Sequence, residues 1–215
     1  MIKERFSLMS LDDIDSWSII VVTDELLNFI VIMGCMYDLM GIENFDKENE
    51  QWPTDARKIS PNHNIDNLRT QWKNWFSDIL RMKSKKVKFG EVELNNILVE
   101  LMYDIDSFKE LDYKELREYC IESYPIFMKW WNMPAGGKNA LEFYELIEST
   151  QVHECIMSIE NKIKRKSKPF KLHVDVVYTG VPTVLDFSDD YIVITPNGHV
   201  AFNKNWWMRK LKKLV

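Results

Sequence analysis

Near Lys168-Pro169 the spacing of the apolar residues changes. Before that point they recur mostly at helical intervals; after it they are β-branched and alternate with polar residues. A helix-period pattern does not settle into a strand, nor the reverse, so the change constrains the fold more than any composition figure. The 215-residue chain reads as α+β: a mainly helical body of five to seven helices over 1–168, then a small antiparallel sheet with an Asn-Gly hairpin and a terminal basic helix over 169–215. Three strands are too few to stand alone, so the sheet is expected to pack on the body as part of one domain.

The helical part carries several local signals. Thr23 is placed to cap a helix with Asp24 and Glu25 in its first turn, a stripe from Leu26 to Met40, and Gly41 just past its end. Trp17 to Val22, before it, fits strand or helix equally. Leu68, Trp72, Trp75, Phe76 and Ile79 form the stripe of a second helix from about Asp66. A third is expected from about Gly90, burying Val92, Leu94, Ile97, Leu98, Leu101 and Met102. Leu111-Asp112-Tyr113-Lys114-Glu115-Leu116 forms an Asp-headed capping box with a hydrophobic staple. The helix it opens is expected to end near Ile121, with a new start at Pro125. The longest helix is predicted from about Lys138 to Lys164.

In the last fifty residues, Leu172, Val174 and Val176 alternate with His173 and Asp175. Tyr191 to Thr195 and His199 to Asn203 flank Pro196-Asn197-Gly198, the turn chemistry of a hairpin. A helix from about Asn203 to Leu214 closes the chain.

The three cysteines, Cys35, Cys120 and Cys155, form no CxxC and sit among apolar residues, as buried thiols do; a reduced cytoplasmic protein is expected. The N-terminus mixes charges and does not read as a signal peptide. The longest uncharged apolar-rich run, Leu26 to Tyr37, is 12 residues, short of a membrane span.

No residue set points to a metal, a cofactor or a catalytic apparatus. His153 and Cys155 lie two apart, which on a helix sends them to different faces. His173 and Asp175 share a strand face, which a half-exposed polar face explains. Asp186, Asp189 and Asp190 are explained by a turn. Gly136, Gly137 and Lys138, ahead of the long helix, offer free amides and a cation to an anion, although Asn139 stands where a phosphate-binding loop has Ser or Thr. Trp130-Trp131 and Trp206-Trp207 aim successive rings in different directions, so one ring of each pair is expected to be partly exposed.

The net charge of -5 conceals a layout. Residues 81–88, 162–171 and 204–213 hold 16 of the 28 basic residues and no acidic one, leaving 12 basic against 33 acidic elsewhere. Cations at helix carboxyl ends offset the macrodipole. A converging patch through Lys85, Lys86, Arg165, Lys166, Arg209 and Lys212 would instead meet phosphate.

The expectation is a non-enzymatic protein-binding protein of a bacterial or phage kind, inhibitor or immunity-like. Its acidic surface at Glu142, Glu145 and Glu148, with Trp130 and Trp131, would engage a basic partner. The alternatives are a nucleic-acid-associated protein using the basic clusters, and an enzyme acting on a phosphorylated ligand near 134–139.

Overall fold

The computed structural model describes residues 6–9, 17–40, 64–88, 104, 107–134, 136–139, 149–177, 184–195 and 203–215. Five strands form one sheet: β1 (Phe6–Met9), β2 (Trp17–Thr23), β3 (Phe170–Val176), β4 (Val184–Ser188) and β5 (Tyr191–Ile194). Their order is β1-β2-β3-β5-β4. The three central strands run parallel, and β1 and β4 lie antiparallel along the edges. Five described helices accompany them: α1 (Glu25–Met36), α2 (Ile65–Lys88), α3 (Lys114–Trp131), α4 (Ser149–Ile163) and α5 (Lys204–Leu214).

Helices cover both faces of the sheet. Ile19, Val21, Leu172, Val174, Ile192 and Ile194 pack with Val152, Cys155, Ile156 and Ile159 of α4 and with Trp207 and Leu211 of α5. On the other face Tyr191, Val193 and Val177 join the core of α1, α2 and α3. Strands buried on both faces read as continuous apolar runs, which is why Ile19 to Val22 gave no alternation.

This architecture corrects the expected one. The sheet is mixed with a parallel centre, not a C-terminal antiparallel unit, and its strands are interspersed with helices. β2, from the part read as helical, pairs with β3 from Trp17↔Phe170 to Thr23↔Val176. β5 is paired on both edges, by β3 and β4; the expected Asn197-Gly198 turn and the run after it, up to residue 202, lie outside the described residues. The hairpin that does form is β4–β5, turning at Asp189-Asp190.

Local boundaries shift as well. The cap of α1 is Asp24, not Thr23: its Oδ1 accepts from the Leu27 amide at 2.7 Å. That helix ends at Met36, four residues early, where Asp38 turns left-handed (φ 54°) and the Leu39 amide returns to the Gly34 carbonyl at 2.8 Å. α3 starts after Tyr113 with no side-chain cap, and runs unbroken through Pro125 instead of restarting there. Leu116, Tyr119 and Cys120 before the proline, and Phe127, Trp130 and Trp131 after it, are all buried, so packing holds both halves to one axis. The expected helix over 91–103, and 140–148 of the expected long helix, lie outside the described residues. Among the described residues no helix is long and apolar enough to cross a membrane.

Candidate functional site at the carboxyl ends of the parallel strands

Asp24 follows the last residue of β2, and Asp175 is the penultimate residue of β3, so two carboxylates stand at neighbouring strand ends. Between them lies Lys83, from the carboxyl-terminal half of α2. Its Nζ is 2.8 Å from Asp175 Oδ2 and 3.1 Å from Asp24 Oδ2, and all three side chains are at most 4% exposed. Both distances are those of ion pairs, without the angles of ideal hydrogen bonds. Tyr191, at the start of β5, donates its hydroxyl to Asp175 Oδ2 at 2.6 Å. Asn28, one turn into α1, donates through Nδ2 to the carbonyls of Asp24 and Val176, at 2.8 and 2.9 Å, and so ties the helix start to the end of β3.

The electrostatics follow from burial and pairing. Burial alone would push Lys83 down, but the charges of Asp175 and Asp24 outweigh it, so the ammonium sits above its ordinary value. Asp175 is raised: burial dominates, Lys83 pulls back, and Asp24 adds like-charge repulsion. Burial, then the Asp175 charge, lifts the Tyr191 phenol well above its usual range. The ammonium occupies the point between the carboxylates where a cation would sit. Among the described residues no group of three His, Cys, Asp or Glu side chains is placed to hold a metal. Asp175 Oδ1 accepts no hydrogen bond among the described residues.

Glu25, the first residue of α1, is partly exposed. Its Oε1 accepts from the Tyr124 hydroxyl at 2.9 Å. Burial raises its carboxyl above the usual range, opposed by hydrogen bonds from Tyr124 and the Trp131 indole and by the charge of Lys138.

A second lysine is consumed nearby. Lys210 of α5 is buried and bonds to Asp186 Oδ1 and to the Ser188 carbonyl. Ser188 Oγ donates to Asp190 at 2.7 Å and accepts from Ser84 of α2 at 3.0 Å. The α2 and α5 side chains therefore meet at the bulged end of β4.

Other sequence candidates fall differently. His173 and Asp175 are buried, at 3% and 1% exposure, not on a half-exposed face. Trp130 and Trp131 are both buried, so the expectation of an exposed ring is corrected for this pair; Trp206 is half-buried and Trp207 buried. The reason lies in the turn after α3. A Cβ on Gly137 would come within 2.5 Å of both Trp rings, and one on Gly136 within 1.9 Å of the Trp130 carbonyl. These glycines let the backbone fold over the tryptophans. The amides of Gly136, Lys138 and Asn139 are bonded to the carbonyls of Met133, Trp131 and Gly136, so the expected anion cradle has lost three donors. Lys138 is exposed.

Glu142, Glu145 and Glu148 lie outside the described residues, as does the side chain of Lys86. Lys85, Arg165, Lys166, Arg209 and Lys212 are exposed. Comparison with known protein families, curated proteins and solved structures gave no match.

The Asp24–Lys83–Asp175 centre was missed in the sequence, yet its signal was there. Lys83 continues the buried stripe of α2 at four-residue steps, from Ile79 through Lys83 to Val87. A lysine on the core side of a helix needs a buried partner.

Proposed function

We propose that the protein binds a small polar ligand, one that is positively charged or presents N–H or O–H donors, at the carboxyl ends of β2, β3 and β5. One observation carries this reading: Lys83 is drawn by a separate helix between carboxylates from two adjacent parallel strand ends. Open α/β sheets bind ligands in the crevice outside those ends. Burying charged groups there costs several kcal/mol per ion before pairing returns part of it.

The chemistry favours donors over anions. Two carboxylates face one ammonium, Asp175 Oδ1 is buried without a donor among the described residues, and Glu25 adds a partly exposed carboxyl next to Asp24 in the chain. Phosphate has less to bind, because Lys83 is already paired and the amides of the 136–139 turn are engaged. The protein-partner reading through Glu142, Glu145 and Glu148 gains no support from the described residues.

The test is a thermal-shift screen of amines, polyols and nucleosides against sugar phosphates, followed by calorimetry with Glu25→Gln and Asp175→Asn. Donor-bearing or cationic compounds should raise Tm by about 5 °C near saturation. Glu25→Gln should weaken that response while the protein stays folded. A panel that raises Tm with none of these, or with phosphorylated compounds only, overturns the reading.

A further inference from the structure

The basic clusters raise a separate question, independent of the strand-end site. Helices α4 and α5 run side by side in the same direction. Near their starts Lys204 pairs with Glu154 at 3.6 Å, and the Cys155 thiol lies 3.9 Å from the Lys204 carbonyl. Past their ends Arg165 reaches the Val215 carbonyl at 3.4 Å. Two carboxyl-terminal helix ends are therefore adjacent, and two clusters distant in sequence come together there.

Lys162, Lys164, Arg165 and Lys168 at one helix end, with Lys212 at the other and Arg209 midway along α5, are all exposed. Arg165 is taken up by the Val215 oxygen; among the described residues none of the other five has a carboxylate within ion-pair distance, whereas Lys166 and Lys213 are matched by Glu160 and Asp189. Two helix ends present together about one negative charge. Even with Arg165 taken up and Arg209 short of the end, Lys162, Lys164, Lys168 and Lys212 exceed what those dipoles require, and a positive surplus remains at the surface. The α2 cluster borders the same region, since Ser84 meets the Ser188 that Lys210 also holds, and Lys85 is exposed beside it.

We propose that this paired helix end binds the phosphate backbone of nucleic acid without sequence preference. A lipid surface fits less well, because Trp207 and Leu211 of α5 are fully buried and its apolar side is not free to insert. An acidic protein fits less well, because interfaces centre on a desolvated apolar core. Here Ile163 (40% exposed) is the exposed large apolar side chain flanked by those lysines.

The test is fluorescence anisotropy of a labelled mixed-sequence duplex from 50 to 200 mM salt. With four to six phosphate contacts, log K should fall against log salt with a slope of about -4 to -5. Lys168→Glu/Lys212→Glu should weaken binding at least ~10-fold and reduce the slope by about 2, while Lys138→Glu leaves both unchanged. A scrambled duplex should bind equally. No binding at 50 mM salt, a slope near zero, an unaffected double variant, or tighter binding to anionic vesicles or polyglutamate each overturns the proposal.

Discussion

Lys83 shows how one side chain can organise a core. Removing it leaves Asp24 and Asp175 buried and facing each other with no counter-charge. Breaking such a pair from one side costs about 3–5 kcal/mol. Lys83→Met keeps most of the aliphatic volume, so the loss reports the charge and not a cavity. Urea denaturation should show that loss in the wild-type background and a smaller one when Asp175→Asn is already present, with a coupling of about 0.5–3 kcal/mol. Additive effects of the two substitutions would show that the groups do not depend on one another. The position of Lys83 on the apolar stripe was readable. What it pairs with was not, because Asp24 and Asp175 are 151 positions apart in the chain and only the β2–β3 pairing brings them together.

At the scale of elements, α1 and α2 meet where a glycine admits a tryptophan. A Cβ on Gly34 would lie 2.7–2.9 Å from the Trp72 indole. That ring is buried and donates to the Ile30 carbonyl at 2.9 Å, so it cannot swing aside without breaking the bond. Alanine gains about 0.8–1.0 kcal/mol over glycine in a helix interior, whereas overpacking a core costs about 1–3 kcal/mol. The clash should win, and Gly34→Ala should be less stable by about 1 kcal/mol in equilibrium unfolding. A variant more stable than wild type would show that the helices have room to part. Helix stripes of this kind were legible: α2 buries Leu68, Trp72, Trp75 and Ile79 as its period demands. One junction was misread and another left open, for opposite reasons. Pro125 was given the authority of a helix start, and the tertiary packing of α3 overrode it. The apolar run of β2 had no period to read, because a parallel strand covered on both faces has no polar side.

At the scale of the whole molecule, stability depends on pH at the alkaline end, and the sign follows from the buried Tyr191 and Lys83. Tyr191 is held well above its ordinary value by burial and by the Asp175 charge. Burial opposes protonation of Lys83, but Asp175 and Asp24 outweigh it and hold the ammonium above its ordinary value. For both groups the folded pKa exceeds that of the unfolded chain, about 10 for tyrosine and about 10.4 for lysine. Their contribution is complete below those values and is lost as pH rises through them, because the unfolded chain then releases protons that the native state retains. Stability should therefore stay level from pH 7 to about 9 with respect to these groups. Above about pH 10 it should fall by up to about 1.4 kcal/mol per pH unit for each group. Tyr191→Phe removes one of these contributions and leaves that of Lys83, and those of the other raised groups, Tyr37, Tyr124, Cys120 and Cys155, in place. Urea unfolding at pH 8, 10 and 11 should then show a shallower alkaline decline in the variant, even though losing the hydrogen bond to Asp175 lowers its stability at pH 8. Equal declines in the two proteins would mean that Tyr191 ionises alike in both states, and would place the phenol in water instead of against Asp175.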